Sequence, residues 1–252
     1  MTSYLEALHA SADRLRSVAG GLAAEQFVES AYPTEWTVAD TMSHLGSGAT
    51  IMGRGLLETL AGSSVPDGFN QSVWDEWNAK TPAEQVADAL AADAALIASI
   101  DEVTSEQQET FVYAMGPMQL PFDAFLSLRL NEHAVHTWDV EVVVDPGAGI
   151  DPTATSVIID SLSMIAGWTG KAAESPRTIA VRTSDPERRI SVTTGPDKVE
   201  LATAEGDAEP DLELTSEAFI RLVYGRLDPN HTPPERDVDG ALDALRATFP
   251  GF

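Results

Sequence analysis

The chain contains no cysteine. That absence removes disulfides, thiolate metal sites and any cysteine nucleophile of the protein's own. Thiol chemistry here must use a thiol brought in from outside, and a metal must be held by His, Asp and Glu. Basic residues are scarce as well: 15 Lys and Arg stand against 40 Asp and Glu, for a formal net charge of −25. So acidic a surface repels nucleic acid and anionic membrane, so neither is expected as a partner. It also leaves an anionic substrate few places to bind, because residues 1–148 supply only Arg14, Arg16, Arg54, Lys80 and Arg129. A bound metal ion is the simplest positive centre for such a chain. Apolar runs long enough to span a membrane are missing too. The opening "MTSYLEALHASADRLRS" is amphipathic and lacks a basic stretch followed by an apolar core, so it does not read as a secretory signal. The cytoplasm is the expected location, and the sequence sets no oligomeric state.

What is present is 252 residues, 43% hydrophobic and 22% charged, enough to bury one large core or two smaller ones. The first half reads as four helices. "SYLEALHASADRLRSVAGGLAAEQF" has helical spacing and weakens at Gly20-Gly21. "EWTVADTMSHLGSGATIMGRGLLETLAG" starts with Thr37 as N-cap and Asp40 three residues on, a capping-box arrangement. "TPAEQVADALAADAALIASI" starts with Thr81, then Pro82 in the first turn and Glu84 at the third position. The fourth helix is "PFDAFLSLRLNEHAVHTWDVEVVV", which ends before the linker-like "DPGAGIDP". Four such helices predict a bundle over residues 1–148.

After residue 148 the texture changes. "PTATSVIIDSLSMIAGWTG" predicts a fifth helix. "RTIAVRTS", "RRISVTTG", "KVELATAE" and "PDLELTS" alternate with period two between turn residues, which predicts an antiparallel meander. A helix over "SEAFIRLVYGRL" and a short segment over "GALDALRATF" close the chain. The fold class expected is α+β in two domains: a helical bundle over 1–148 and a small α+β domain with an antiparallel sheet over 149–252.

The densest chemistry lies in "RLNEHAVHTWDVEV", residues 129–142. On a helix, Phe125, Leu128, Glu132, Val135, His136, Asp139 and Val143 fall on one narrow arc, with Glu132 and His136 stacked four apart. Three ionisable groups therefore interrupt an apolar stripe, and burying a carboxylate there demands a compensating partner. His133 points about 100° away and is expected to be exposed. A catalytic zinc usually takes three protein ligands and an open fourth position. The third ligand must come from His9, His44 or His231, and periodicity does not choose among them.

"EWTVADTMSHL" resembles the W-[ST]-V-x-D-x-x-x-H-L signature of DinB-like four-helix metalloproteins, and the pattern R-x-x-E-x-x-x-H-x-x-D at Arg129, Glu132, His136 and Asp139 resembles the last-helix motif of one branch. That branch is the mycothiol-dependent maleylpyruvate isomerase family, in which a DinB-like bundle precedes a sterol-carrier-like α+β domain. "AFIRLVYGRLDP" is similar to that family's closing helix, with its Gly-Arg pair at Gly225 and Arg226. The resemblance implies zinc, or another divalent metal, on His44, Glu132 and His136, a chemically sensible His₂Glu set. It implies mycothiol as a thiol cosubstrate and a small electrophile as its target, in an isomerase- or S-transferase-type reaction. Asp139 is the candidate for a catalytic or ligand-supporting acid. Arg129 and Arg226 are candidate thiol- or substrate-binding residues. The family's arginine between the second and third helices has no counterpart in "VPDGFNQSVWDEWNAK", where Lys80 is the only base. Lysine does not reproduce a bidentate clamp on a carboxylate, so maleylpyruvate itself is not the expected substrate. Asn70 and Trp77 are expected in a mixed polar and apolar wall instead. Two alternatives stand beside this: a zinc hydrolase, which would need a general base such as Asp139 at the metal, and a non-catalytic metal- or ligand-binding protein.

Overall fold

Short side chains folded back onto their own backbones start four of the helices. In the computed structural model, which describes residues 3–33, 35–206, 209–234 and 236–251, Ser3, Thr37, Thr81 and Thr104 each accept from the backbone N–H three residues on. Glu6, Asp40, Glu84 and Gln107 return the favour to the cap residue's own N–H. Each box satisfies two donors that a bare helix end leaves open.

The chain divides into two compact units, Ser3–Ala148 and a second from Gly149 onward. The first holds α1 (Tyr4–Gly21), α2 (Val38–Leu60), α3 (Phe69–Asn78), α4 (Pro82–Asp101), α5 (Ser105–Thr110), a hairpin of β1 (Val112–Met115) and β2 (Met118–Pro121), and α6 (Phe122–Glu141). The four expected helices are α1, α2, α4 and α6. Helix α1 ends at Gly21, and a short 3₁₀ turn over Ala24–Val28 follows it. Helix α3, the short α5 and the hairpin are additions that the sequence patterns do not predict. No helix among the described residues is long and apolar enough to cross a membrane.

Helix α2 packs most extensively on α4, and α6 on α1. Leu15, Val38, Met42, Leu45, Trp77 and Val140 share one buried cluster. Trp77, expected in a ligand wall, is therefore core: it is 4% exposed and its ring lies over Gly46. Helix α6 is buried along its whole length from Phe125 to Val140 except at Glu132. That corrects the expectation for His133, which has no exposure at all. One-face periodicity fails here because α6 has neighbours on every side, so there is no solvent face for His133 to take.

The second unit has α7 (Pro152–Ile158), α8 (Leu162–Thr169), β3 (Arg177–Ser184), β4 (Arg188–Thr194), β5 (Val199–Thr203), β6 (Leu212–Thr215), α9 (Ser216–Val223), β7 (Arg236–Asp237) and α10 (Ala241–Thr248). The expected single fifth helix is broken between α7 and α8. Asp160 sits in that break, held by a two-pronged pair with Arg188 at 2.6 and 2.8 Å. The strands run in the order β5-β4-β3-β6-β7. Strands β3, β4 and β5 form the expected antiparallel meander, but β6 crosses back to lie parallel to β3. Asp211 pins this crossing: its N–H donates to Ala180 O, and its carboxylate accepts from Ala180 N, both at 2.8 Å. Helix α9 stops at Gly225, which takes φ 71° where a Cβ would collide with the Gly251 backbone.

The contact of α2 with α4 generates a paired prediction. A Cβ on Gly46 would strike the Trp77 ring and come within 2.8 Å of Ala89 Cα, so Gly46→Ala should cost about 1–3 kcal/mol. Gly53, on the same helix, would meet only Leu96 at 3.9 Å, so Gly53→Ala should gain about 0.5–1 kcal/mol. Urea denaturation of both variants checks the opposite signs.

Candidate metal centre

Two helices that start far apart in sequence bring one histidine-rich cluster together. Thr37 caps α2 and puts His44 two turns into that helix. The segment before it is pinned by a bridge between Ser30 and Thr37 and by Ala31 N–H donating to Trp36 O at 2.8 Å. Glu132 and His136 stack one turn apart on α6. Ligand atoms of His44, Glu132 and His136 all lie within 4.8 Å of one another. His44 Nε2 is 3.2 Å from Glu132 Oε2, and His136 Nε2 is 3.6 Å from the same oxygen. The burial is graded: the His44 side chain is 42% exposed, Glu132 35% and His136 10%. This is a donor set that converges at the one break in the buried stretch from Phe125 to Val140, with His44 and Glu132 both open to solvent. Its chemistry, two imidazoles and a carboxylate, fits Zn²⁺ or a similar divalent ion.

Asp139 lies behind the cluster. It is fully buried, and its Oδ2 is 2.8 Å from His136 Nδ1. That contact fixes the ring's orientation and leaves Nε2 to face Glu132, the arrangement in which a carboxylate supports a ligating histidine. Burial works against the charge on His136, but hydrogen bonds with Asp139 and Glu132 outweigh it and raise its pKa to about 9. Burial likewise opposes the Glu132 carboxylate, yet its contacts with His136 and His44 hold it well below the usual range. Without a metal, then, the cluster at neutral pH is an ionised Glu132 against a protonated His136. Trp36 completes the site, its ring 5.2 Å from the His44 ring and 6.0 Å from that of His136. Its place in "EWTVADTMSHL" signalled the start of α2 but not this contact.

Arg129, expected near a ligand, is instead 2% exposed. It donates to Asp93 Oδ1 at 2.7 Å and to Leu45 O at 3.2 Å. His133 joins the same interior network: Ser11 Oγ is 2.8 Å from its Nδ1, and Asp93 Oδ2 is 3.3 Å from its Nε2, though without good hydrogen-bond geometry. Burial opposes the Asp93 charge, but His133 and the Arg129 guanidinium hold its carboxyl well below the usual range. Burial pushes the His133 imidazole down. Arg129 thus serves the interior, because an unpaired guanidinium there would cost far more than any contact it could offer a ligand. Asp93 and Ser11 were missed because nothing local marks a residue whose partner is tens of residues away.

Arg226 is 7% exposed and donates to Tyr224 O at 2.6 Å, at the end of α9. Its carbonyl accepts from Arg221 Nη1 at 3.2 Å. The helix-capping role of a C-terminal cation accounts for this contact. Asn70 is exposed at the start of α3 and lines a cavity of about 580 Å³. Lys80 is occupied by Asp88 at 2.8 Å and Glu76 at 3.5 Å, with its ammonium 5.0 Å from the Trp77 ring centre.

Three comparisons with known proteins bear on the chain. Residues 8–141 match the family described as mycothiol maleylpyruvate isomerase N-terminal domain. A crystal structure of the mycothiol-dependent maleylpyruvate isomerase superposes with a TM-score of 0.64 at 14% identity, covering 93% of this chain and 98% of that one. A histidine-to-alanine mutant of the same isomerase gives a TM-score of 0.65 at 15% identity, covering 90% and 92%. At such identities the likeness is one of fold, and it extends over both units. No curated protein matches the chain in sequence.

Metal uptake should be proton-coupled, because His136 must lose its proton to ligate. Its folded-state pKa lies above the unfolded value, so its protonation stabilises the metal-free protein below about pH 6.5. That contribution is lost as pH rises through about 9. Zn²⁺ affinity should rise about tenfold per pH unit up to about pH 9 and then level off. Chelator competition at about pH 6.5, 7.5 and 8.5 checks this; a flat profile would mean that no ligand gives up a proton when the ion binds.

Proposed function

The chain belongs to the mycothiol maleylpyruvate isomerase N-terminal domain family, and from that membership we propose that it is a metal-dependent enzyme using mycothiol as its nucleophile. The observation that carries the proposal is the convergence of His44, Glu132 and His136 within 4.8 Å, with Asp139 buried behind His136. In this reading residues 1–148 are the DinB-like metal-binding bundle and residues 149–252 the sterol-carrier-like domain. The enzyme works in the cytoplasm, where low-molecular-weight thiols stay reduced.

His44, Glu132 and His136 would hold a divalent ion, Zn²⁺ by preference for this donor set. When bound, that ion supplies a Lewis acid that stabilises a thiolate near neutral pH. The chain's residues do the rest. Asp139 holds the His136 ring through Nδ1 and so presents Nε2 to the cluster. It acts through His136 as a positioning residue, since it is fully buried. Glu132 brings the negative charge that brings a divalent site nearer neutrality. Trp36 packs its ring beside the two imidazoles.

The nucleophile in this reading is the sulfur of mycothiol, which is consistent with a chain that has no cysteine thiol of its own. The thiolate adds to an electrophilic carbon of a small second substrate, forming a C–S bond. In an isomerase the substrate is a cis alkene: the adduct rotates, the C–S bond breaks, and trans alkene and thiolate are returned. In a transferase the C–S bond persists and the leaving group departs with the electron pair. Maleylpyruvate is not the favoured electrophile, because Lys80 is committed to Asp88 and Glu76. A hydrolase is less well supported. Its general base would have to be Asp139, which is engaged by His136 and closed to solvent.

Metal content and thiol binding test the proposal together. Wild type should carry near one equivalent of zinc, and both His44→Ala and Glu132→Ala should lose it. Cobalt-substituted wild type should develop a thiolate-to-metal charge-transfer band on adding mycothiol. Asp139→Asn should retain the fold but bind metal about 10–100-fold more weakly. Metal without the thiolate band would refute thiol activation, and failure to bind zinc at all would refute the centre.

A further inference from the structure

The two histidines of the cluster are held in different ways. His136 has Asp139 at its Nδ1, 2.8 Å away. His44 has no such support. Its Nε2 faces Glu132, and no group among the described residues hydrogen-bonds its Nδ1. A ligating histidine almost always has its second nitrogen fixed by an acid, a carbonyl or water. The torsion that turns an imidazole about its own stem is broad and soft, and the His44 side chain is 42% exposed. Among protein groups, only packing is left to set the plane of this ring.

Two rings supply that packing. The His136 ring meets His44 edge-on, with 4.7 Å between centres and 70° between planes. The Trp36 indole lies 5.2 Å from the His44 ring at 45°, and 6.0 Å from the His136 ring at 27°. Burial does not account for the indole's place, because Trp36 is 36% exposed. Its backbone does. Trp36 N–H donates to Pro33 O, and its carbonyl accepts from Ala31 N–H, both at 2.8 Å. Val38 N–H donates to Glu29 O at 3.0 Å, which closes the segment onto the start of α2. On the other side Tyr32 N–H donates to Asp139 O at 3.3 Å, and the Tyr32 ring sits 4.8 Å from that of Trp138. That carbonyl is one of the last four of α6, which a helix end leaves without a helical partner. The segment carrying Trp36 is thus tied to both ligand-bearing helices, and on α6 it is tied to the residue that orients His136.

We propose that Trp36 is a positioning residue for His44: its indole fixes the imidazole plane, as the Asp139 carboxylate does for His136. The assignment rests on the metal centre proposed above. A donor already held in its binding orientation loses less rotamer freedom when the ion arrives. The flat ring therefore raises metal affinity without touching the metal, and it acts only through His44.

Two measurements test this: Zn²⁺ affinity by chelator competition at one fixed pH, and side-chain NMR of the metal-free protein. Trp36→Phe keeps a flat ring and should bind zinc within about threefold of wild type. Trp36→Leu keeps apolar bulk without a flat face, and it and Trp36→Ala should each bind about tenfold more weakly. In the metal-free protein, nuclear Overhauser contacts between the His44 and His136 rings should persist in wild type and Trp36→Phe and fade in the other two. Urea midpoints of the metal-free variants separate lost orientation from lost folding. Equal zinc affinity in all four proteins would overturn the assignment, as would ring contacts that survive in Trp36→Leu and Trp36→Ala. So would an affinity that falls only in step with the urea midpoint. A wild type that binds no zinc, with ring contacts that still depend on Trp36, would refute the metal centre but not the hold of Trp36 on the His44 ring.

Discussion

A helix buried on every side cannot carry charge unless each charge is met, and α6 carries five ionisable side chains between Arg129 and Asp139. Two solutions appear along its length. Arg129 and His133 turn inward and are answered by Asp93 on α4 and Ser11 on α1. Glu132 and His136 turn toward α2 and are answered by His44 and by Asp139 one turn on. The first set ties four helices together, since Arg129 also reaches Leu45 O on α2. The second converges on one point and leaves ligand atoms facing each other. Structure and site are thus two outcomes of one electrostatic requirement.

This requirement sets the division of labour among the arginines. An arginine placed to clamp an anionic substrate must keep its fork free, and each of the bundle's five cations instead has a carboxylate beside it. With 40 acidic residues against 15 basic ones, carboxylates outnumber the groups that could be left over. The metal ion proposed above would add positive charge where the bundle's own cations are already paired.

Much of this was legible in the sequence wherever the cause is local. Thr37 with Asp40 and Thr81 with Glu84 announce their helices because a capping box involves only neighbouring residues. The stacking of Glu132 on His136 follows from helical geometry alone. Where the cause is distant, the sequence is silent or misleading. His133 reads as exposed because periodicity assumes one buried face, whereas α6 is buried all round from Phe125 to Val140 except at Glu132. Trp77 looks like a candidate ligand wall until Gly46 is seen to receive its ring. Helix α3 was hidden in a stretch without strong periodicity, and the β1–β2 hairpin in a segment too short to alternate convincingly. The parallel pairing of β6 with β3 depends on Asp211 reaching Ala180, which no alternation pattern encodes. The selection of His44 came from family resemblance, not from residue spacing.

The separation of His44 from Glu132 by 88 positions has a consequence for the order of events in the life of the chain. On the ribosome the first histidine is exposed to the cell long before its partners have been synthesised. A lone imidazole competes poorly for a trace ion against the cell's other binders. The donor set comes into being only after α6 has threaded between its neighbours and Arg129 has found Asp93. For the metal proposed above, loading would therefore be a late step, and a captured ion would certify that the last long helix of the bundle has docked in register.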